Sequence, residues 1–358
     1  MKAADGTSLP FPISVNGETM SANPYRLTRL LSAAWVLFLL GACGCQDSAR
    51  LHKTSRLLMG TLVEITVAGK THNAVKAAAA AAREITRVEN LTSFHKESSA
   101  LSAINAKSGS ERIRSDPELL ALIEKSLRFA ADSGGAFDPT IGPVSRIWNF
   151  SAGEPRFPKS DEIAEALDKV GWRRVEPDIA AGTISLPEKG MALDLGAIAK
   201  GYALDKARAA LRQFGVTSAL INAGGDIIAL GEKAPNQPWR VGVQDPNKPN
   251  SIVAVAIVRD KAIVTSGDYE RVLIRNDKRY HHILDPRNGY PAQGLRSVTI
   301  VAPDGVTADA LATAVFVLGP DEGMKKIEST AGVEGLLIDH NGKAGLSPGA
   351  GSLFELRR

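Results

Sequence analysis

The segment Ala192-Leu193-Asp194-Leu195-Gly196-Ala197-Ile198-Ala199-Lys200-Gly201-Tyr202 sets an acid and a lysine on either side of a glycine turn. A strand ending in a carboxylate, followed by a turn and a helix start, exposes backbone amides that attract phosphate. Lys200, on the first helical turn, can neutralise a phosphate oxygen, and Asp194 can accept from a ribose or ring N–H. The same residues also describe a plain turn with a capping Asp and a solvated Lys. Asp309 and Thr313 stand four apart in Thr307-Ala308-Asp309-Ala310-Leu311-Ala312-Thr313 and so share one helix face. Carboxylate and hydroxyl oxygens are hard ligands suited to Mg²⁺ or Ca²⁺. Asp309 also fits a bland role, as an acid in a first turn where the helix dipole favours one. In Tyr280-His281-His282-Ile283-Leu284-Asp285-Pro286-Arg287-Asn288-Gly289, adjacent histidines on a strand would face opposite sides, so at most one serves a given site. That one would be a general base; otherwise both are structural. Gly134-Gly135-Ala136-Phe137-Asp138-Pro139-Thr140-Ile141-Gly142-Pro143 is a rigid, turn-rich loop. Its glycines let a ligand approach the backbone, unless it is only an Ω-type connection.

These residues need elements to hold them. Residues 57–67 alternate and are rich in β-branched side chains, which predicts one strand. Helices are expected at 73–91, at 116–133 behind an Asp116-Pro117 start, and at 160–170 capped by Ser160 or Asp161. Strand pattern follows at 183–186 and 192–195, then a helix at 197–214. Residues 218–222 and 227–230 read as strands joined by Ala223-Gly224-Gly225-Asp226. Further strands are expected at 239–243, 251–258, 262–265, 269–274, 281–284 and 298–302, with helices at 308–318 and 321–331. A strand pair near 336–339 and 353–356 ends the chain. Hairpin-linked strands with clustered helices indicate an α+β fold rather than a doubly wound sheet.

The 358 residues carry a net charge of only +4, with 5% aromatics and no basic stripe, so nucleic acid is excluded as a partner. The two cysteines, Cys43 and Cys45, are nearly adjacent, which rules out a disulfide framework or a cysteine zinc site. Gly-x-Gly-x-x-Gly, Walker A, Gly-x-Ser-x-Gly and His-Glu-x-x-His patterns are all absent. Residues 30–43 form an apolar run behind Arg26 and Arg29, ending in Leu40-Gly41-Ala42-Cys43. That is the pattern of a secretory signal with a small-residue cleavage site, and it resembles the lipobox in which Cys43 is lipidated. The expected organisation is a signal over 1–42, with translation starting at Met20, a lipidated tether over 43–50, and one domain over 51–358. The expected location is outside the cytoplasm, anchored by lipid on the periplasmic side of a bacterial inner membrane. Gly44 in place of the common retention Asp leaves the outer membrane open.

Taken in order, these segments resemble the ApbE family, the FAD:protein FMN transferases. The resemblance also rests on Met59-Gly60-Thr61, Ser93-Phe94-His95-Lys96-Glu97-Ser98-Ser99-Ala100, Asn222-Ala223-Gly224-Gly225-Asp226, Thr265-Ser266-Gly267-Asp268-Tyr269 and Ala308-Asp309-Ala310-Leu311-Ala312-Thr313-Ala314. It implies mixed, mostly antiparallel sheets with an FAD pocket between lobes. It implies that Met59, Phe94, Ala136, Phe137, Asp138, Asp194, Lys200 and Ile283 contact FAD, with Phe94 stacked on a ring. Mg²⁺ would be held by the Ala197 carbonyl, Asp309 and Thr313. His282, rather than His281, matches the family histidine and would take the acceptor's proton. The implied reaction moves FMN from FAD to a Thr or Ser hydroxyl of an acceptor flavoprotein, releasing AMP. The alternatives are an FAD pyrophosphatase and a non-catalytic FAD-binding lipoprotein. Asn288 and the His95-Lys96 pair depart from the usual family residues.

Overall fold

Two strands, β1 (Leu51–Leu58) and β2 (Thr61–Ala68), open the computed structural model, which describes residues 51–150, 156–248, 250–276 and 278–357. Cys43 and the apolar run before it lie outside the described residues. One strand was expected at 57–67; the chain instead reverses at Met59-Gly60, with φ of 51° and 71°. Two consecutive left-handed residues make the turn that matches the twist of a tight hairpin. Gly60 adopts that conformation freely, whereas Met59 does so under strain.

Next come α1 (Thr71–Thr92), α2 (Ala100–Asn105), β3 (Ile113–Arg114), α3 (Pro117–Asp132), α4 (Gly142–Trp148) and α5 (Ser160–Leu167). Asp116 caps α3 by accepting from the Glu118 and Leu119 amides, as expected. At α5 neither Ser160 nor Asp161 is the cap; the helix begins after Lys159, whose N–H donates to Glu162 at 2.8 Å. The chain continues through β4 (Glu176–Asp178), β5 (Thr183–Ser185), α6 (Ala199–Gln213), β6 (Ala219–Ala223), β7 (Asp226–Leu230), β8 (Trp239–Gln244), β9 (Ile252–Val258) and β10 (Ala262–Gly267). It closes with β11 (Val272–Arg275), β12 (Lys278–His281), β13 (Leu295–Ala302), α7 (Gly305–Leu318), α8 (Pro320–Glu328), β14 (Glu334–Asp339), β15 (Ala344–Leu346) and β16 (Phe354–Leu356).

The fold is α+β. An eight-stranded sheet runs β1-β2-β6-β7-β10-β13-β14-β15, and its strand pairs are antiparallel. One face, with Val63, Ile65, Ile221, Val264 and Ile300, packs against α1, α6 and α7. The other face, with Ala229, Ile263, Val301 and Leu336, is covered by a smaller sheet ordered β16-β9-β8. A further core joins α3, β5, the segment before α6 and α7. Helix α7 is buried around most of its circumference because it serves both cores: Leu311 and Val315 enter one, Val306 and Ala310 the other.

Three strand expectations fail for tertiary reasons. Residues 192–195 make only one bridge, Ile141 with Ala192. The buried Asn105 side chain satisfies Leu193 instead, accepting from its N–H at 2.7 Å and donating to its carbonyl at 2.8 Å. The strand pattern at 281–284 ends at His281, and 269–271 precede β11, so the hairpin there is shorter than expected. The last strands are not a pair: β14 sits between β13 and β15, while β16 joins β9 and buries Phe354.

Candidate functional site

A cavity of about 920 Å³ opens where the two helix-flanked cores meet. Met59, Phe94, Ala136, Phe137, Asp138, Asp194, Ala197, Lys200, His282, Ile283, Asp309 and Thr313 all line it. They arrive from the β1–β2 turn, the end of α1, the loop before α4, the start of α6, the segment after β12 and one face of α7.

The centre is built by a close helix crossing. A Cβ on Gly201 would lie 2.0 Å from the Gly305 carbonyl oxygen, and one on Gly305 would lie 2.3 Å from that of Gly201. Only two glycines permit this approach of α6 to α7. It lets the Gly201 N–H donate to Asp309 Oδ2 at 2.8 Å. The amides that open α6 were expected to face a phosphate. The backbone amides of Lys200 and Gly201 instead serve Asp309, so a side-chain anion occupies the helix N-terminus.

Lys200 forms an ion pair with Asp226, whose side chain is almost wholly buried at the β6–β7 turn. Asp226 was not assigned from sequence, although its Asn222-Ala223-Gly224-Gly225-Asp226 motif was visible. Glu270 also lines the cavity and was likewise unassigned. Burial, with the Asp226 charge nearby, pushes the Asp309 carboxyl up to about 7 against the opposing pull of Lys200. Burial also raises Glu270, partly offset by Lys200. Burial alone would lower Lys200, but Asp226, Asp309 and Glu270 outweigh it and hold the ammonium above its usual range. Three carboxylates therefore face this lysine in a partly desolvated space, and Arg271 lies beside Glu270.

The two histidines separate as a strand end requires. His281 turns inward against Phe316, Nε2 bonding the Ala292 carbonyl at 2.9 Å and Nδ1 accepting from the Ile283 amide at 3.3 Å. His282 faces the cavity, and its Nδ1 lies 3.3 Å from the Glu270 carbonyl oxygen. With Nδ1–H donating there, Nε2 is left as the proton acceptor. Burial, then Arg271 and His281, pushes His282 down to about 3, so its ring is neutral at pH 7.

At the mouth, Asp138 is engaged by the Thr140 amide and hydroxyl and by the Trp172 amide, and so shapes a wall. Asp194 Oδ1 accepts from the Gly196 amide at 2.9 Å. Phe94 presents its ring to the Arg146 guanidinium, 5.0 Å from the centroid.

Among the described residues no three His, Cys, Asp or Glu side chains converge as a metal centre, and no helix is long and apolar enough to cross a membrane. Asp309 and Thr313 bring a carboxylate and a hydroxyl one turn apart onto the cavity wall near Ala197. This is a sparse, hard-oxygen set beside an excess of buried negative charge, a combination that fits Mg²⁺, which keeps waters and needs few carboxylates.

The model of the ApbE family matches residues 59–337. An FAD:protein FMN transferase of Treponema pallidum is 39% identical over 317 residues, covering 84% of this chain and 87% of that protein. One from Escherichia coli is 27% identical over 336 residues, covering 90% and 95%. The crystal structure of the ApbE protein from Thermotoga maritima superposes with a TM-score of 0.80 at 35% identity, covering 86% of this chain and 100% of that one. The flavin transferase ApbE of Vibrio cholerae gives 0.76 at 26% identity, covering 85% and 99%. The run of motifs around one cavity, the matched architecture and these likenesses agree: this chain belongs to the ApbE family.

Proposed function

We propose that the chain is an FAD:protein FMN transferase that moves FMN from FAD onto a Thr or Ser hydroxyl of an acceptor flavoprotein, with AMP as the leaving group. The observation that carries this reading is the cavity centre. A half-buried lysine, a carboxylate with a raised pKa and a neutral histidine line one space of about 920 Å³, within the size range of pockets that hold cofactors. The relatives named as FAD:protein FMN transferases support it.

The acceptor hydroxyl attacks the phosphorus on the FMN side of the pyrophosphate; that P–O bond forms as the bond to AMP breaks. Negative charge grows on the transferring group and the leaving oxygen, so positioning and electrostatics dominate such transfers. Lys200 supplies a fixed positive charge, held in place by Asp226. His282 Nε2 receives the hydroxyl proton while the Glu270 carbonyl fixes the ring. Met59, Phe94 and Ile283 offer apolar surface to the flavin nucleotide, and Asp138 and Asp194 complete the walls. Asp309, Thr313 and the Ala197 carbonyl would hold Mg²⁺, which supplies Lewis-acid neutralisation of phosphate charge when bound. In the cell we place the enzyme outside the cytoplasm, anchored to the membrane by lipid on Cys43, where exported acceptors would meet it.

A mass assay tests the reaction. The full-length chain is mixed with FAD, Mg²⁺ and a Thr-containing acceptor domain. The expected result is an acceptor heavier by FMN, equimolar AMP, and loss of both with EDTA. FMN and AMP without an adduct would identify the FAD pyrophosphatase instead. FAD bound but intact would identify a binding lipoprotein.

A further inference from the structure

Helix α4 brings an arginine to the cavity wall, where it faces an aromatic ring. Arg146 is exposed, its guanidinium 5.0 Å from the centroid of the Phe94 ring, and both residues line the cavity. Among the described residues it forms no ion pair with a carboxylate, whereas Arg87 pairs with Glu118, Arg174 with Glu188 and Arg287 with Asp285. A guanidinium facing an aromatic ring without a carboxylate partner among the described residues is a planar, weakly hydrated cation free to stack on a further ring.

The helix that carries it is braced. Trp148, two residues on, is buried, donates from Nε1 to the Gly289 carbonyl at 2.7 Å, and stacks on Phe150 at 5.5 Å with a 9° interplanar angle. Asn149 ends the helix in the left-handed region at φ 50°. The platform is therefore set by packing, and the Arg146 side chain is the adjustable part. A flat ring between the guanidinium and Phe94 needs about 7 Å, two contacts of about 3.5 Å. A modest swing of one exposed side chain provides that opening.

We propose that Arg146 and Phe94 are the two walls of a slot that grips a fused heteroaromatic ring of the dinucleotide substrate, making Arg146 a substrate-binding residue. The identity of the dinucleotide as FAD rests on the transferase reading above. The slot gives a role to a cation that forms no ion pair among the described residues and faces the Phe94 ring at the cavity wall.

The test is FAD affinity of the full-length chain by flavin fluorescence, with EDTA present and no acceptor, for the unaltered chain, Arg146→Ala, Arg146→Lys, Phe94→Ala and the double variant. Arg146→Ala is expected to weaken FAD binding roughly three- to thirtyfold, the range of a partly desolvated cation–π contact. Arg146→Lys should recover only part of the loss, because a point charge does not stack. The double variant should bind no worse than Phe94→Ala within about twofold, since one wall alone makes no slot. Binding of FMN and of AMP identifies the ring: the ligand that weakens in Arg146→Ala carries it. An unchanged affinity in Arg146→Ala, full rescue by Lys, or losses that multiply in the double variant would each overturn the slot. Tight FAD binding by the unaltered chain with no FMN transfer to any acceptor would sink the transferase reading and leave the slot standing.

Discussion

Lys200, Asp226 and Asp309 show how a few closely placed charges define a site. Asp226 accepts the lysine's charge, and Asp309 is left short of neutralisation, with its carboxyl pushed up to about 7. A cation placed at Asp309 reverses that penalty, which is the physical basis for proposing Mg²⁺ there. His282 is tuned the other way. Its ring is neutral across the physiological range, and the Glu270 carbonyl, by engaging Nδ1, leaves Nε2 unprotonated toward the cavity. For His282→Ala we expect transfer to fall by roughly 10²- to 10⁴-fold, the usual range for losing a general base, with FAD affinity nearly unchanged. The unaltered enzyme should show no break near pH 6.5 from this group, because its protonation is displaced to about 3. A kcat that survives the substitution, measured under saturating FAD and acceptor, removes His282 from the chemistry.

At the scale of elements, the decisive contact is the crossing of α6 and α7. Gly201 and Gly305 let the two helices touch backbone to backbone, which brings an N-terminal amide to Asp309 at 2.8 Å. Gly201→Ala should be severely disruptive. Its Cβ would meet the Gly305 oxygen at 2.0 Å and the Asp309 Cβ at 2.8 Å, both on the buried α7, which cannot draw away from α6 without losing packing. A destabilisation of about 2–4 kcal/mol is expected in denaturant titrations, with Mg²⁺-dependent activity lost even where the variant folds. A variant of native stability and activity would mean that the crossing is looser than this geometry. The β1–β2 turn is a second device of this kind: Met59 holds a left-handed conformation that disfavours its side chain, and it does so at the cavity wall.

Across the whole molecule, stability and function meet in α7, which is core to both halves and carries Asp309 on its buried surface. The pH dependence of folding follows. Asp309 has an ordinary carboxylate value of 3.8 and a folded value of about 7, so between these the folded chain holds a proton that the unfolded chain has released. The unfolded state then binds fewer protons, and the stability contributed by this site falls as pH rises through that window and is flat above it. In EDTA, the free energy of unfolding read from thermal melts should therefore fall from about pH 4 to about pH 7 by more in the unaltered chain than in Asp309→Asn, a difference on the order of a few kcal/mol. Millimolar Mg²⁺ at pH 8 should raise the midpoint of the unaltered chain and not of the variant. Equal pH responses in the two proteins would show that the strain lies elsewhere.

Local patterns in the chain were sufficient for α1, α3, most strands and the residues that could bear chemistry, because hydrophobic period, the Asp116-Pro117 helix start and turn glycines act over a few residues. The same local signals announced a strand at residues 192–195 and a terminal pair at 336–339 and 353–356. Both failed, because Asn105 claimed Leu193 from 88 positions away and the core beneath β8 and β9 claimed Phe354. Asp194, Lys200, Asp309, Thr313 and one of the two adjacent histidines were nameable as candidates, and resemblance to the family selected His282 and supplied Ala197, Met59 and the cavity walls. Their convergence on one cavity, the commitment of the α6 amides to Asp309, and the entry of Asp226, Glu270 and Arg146 into the site were decided only by tertiary structure. Charge coupling and close backbone approach depend on distances between segments remote in the chain, and no local pattern of residues encodes those distances.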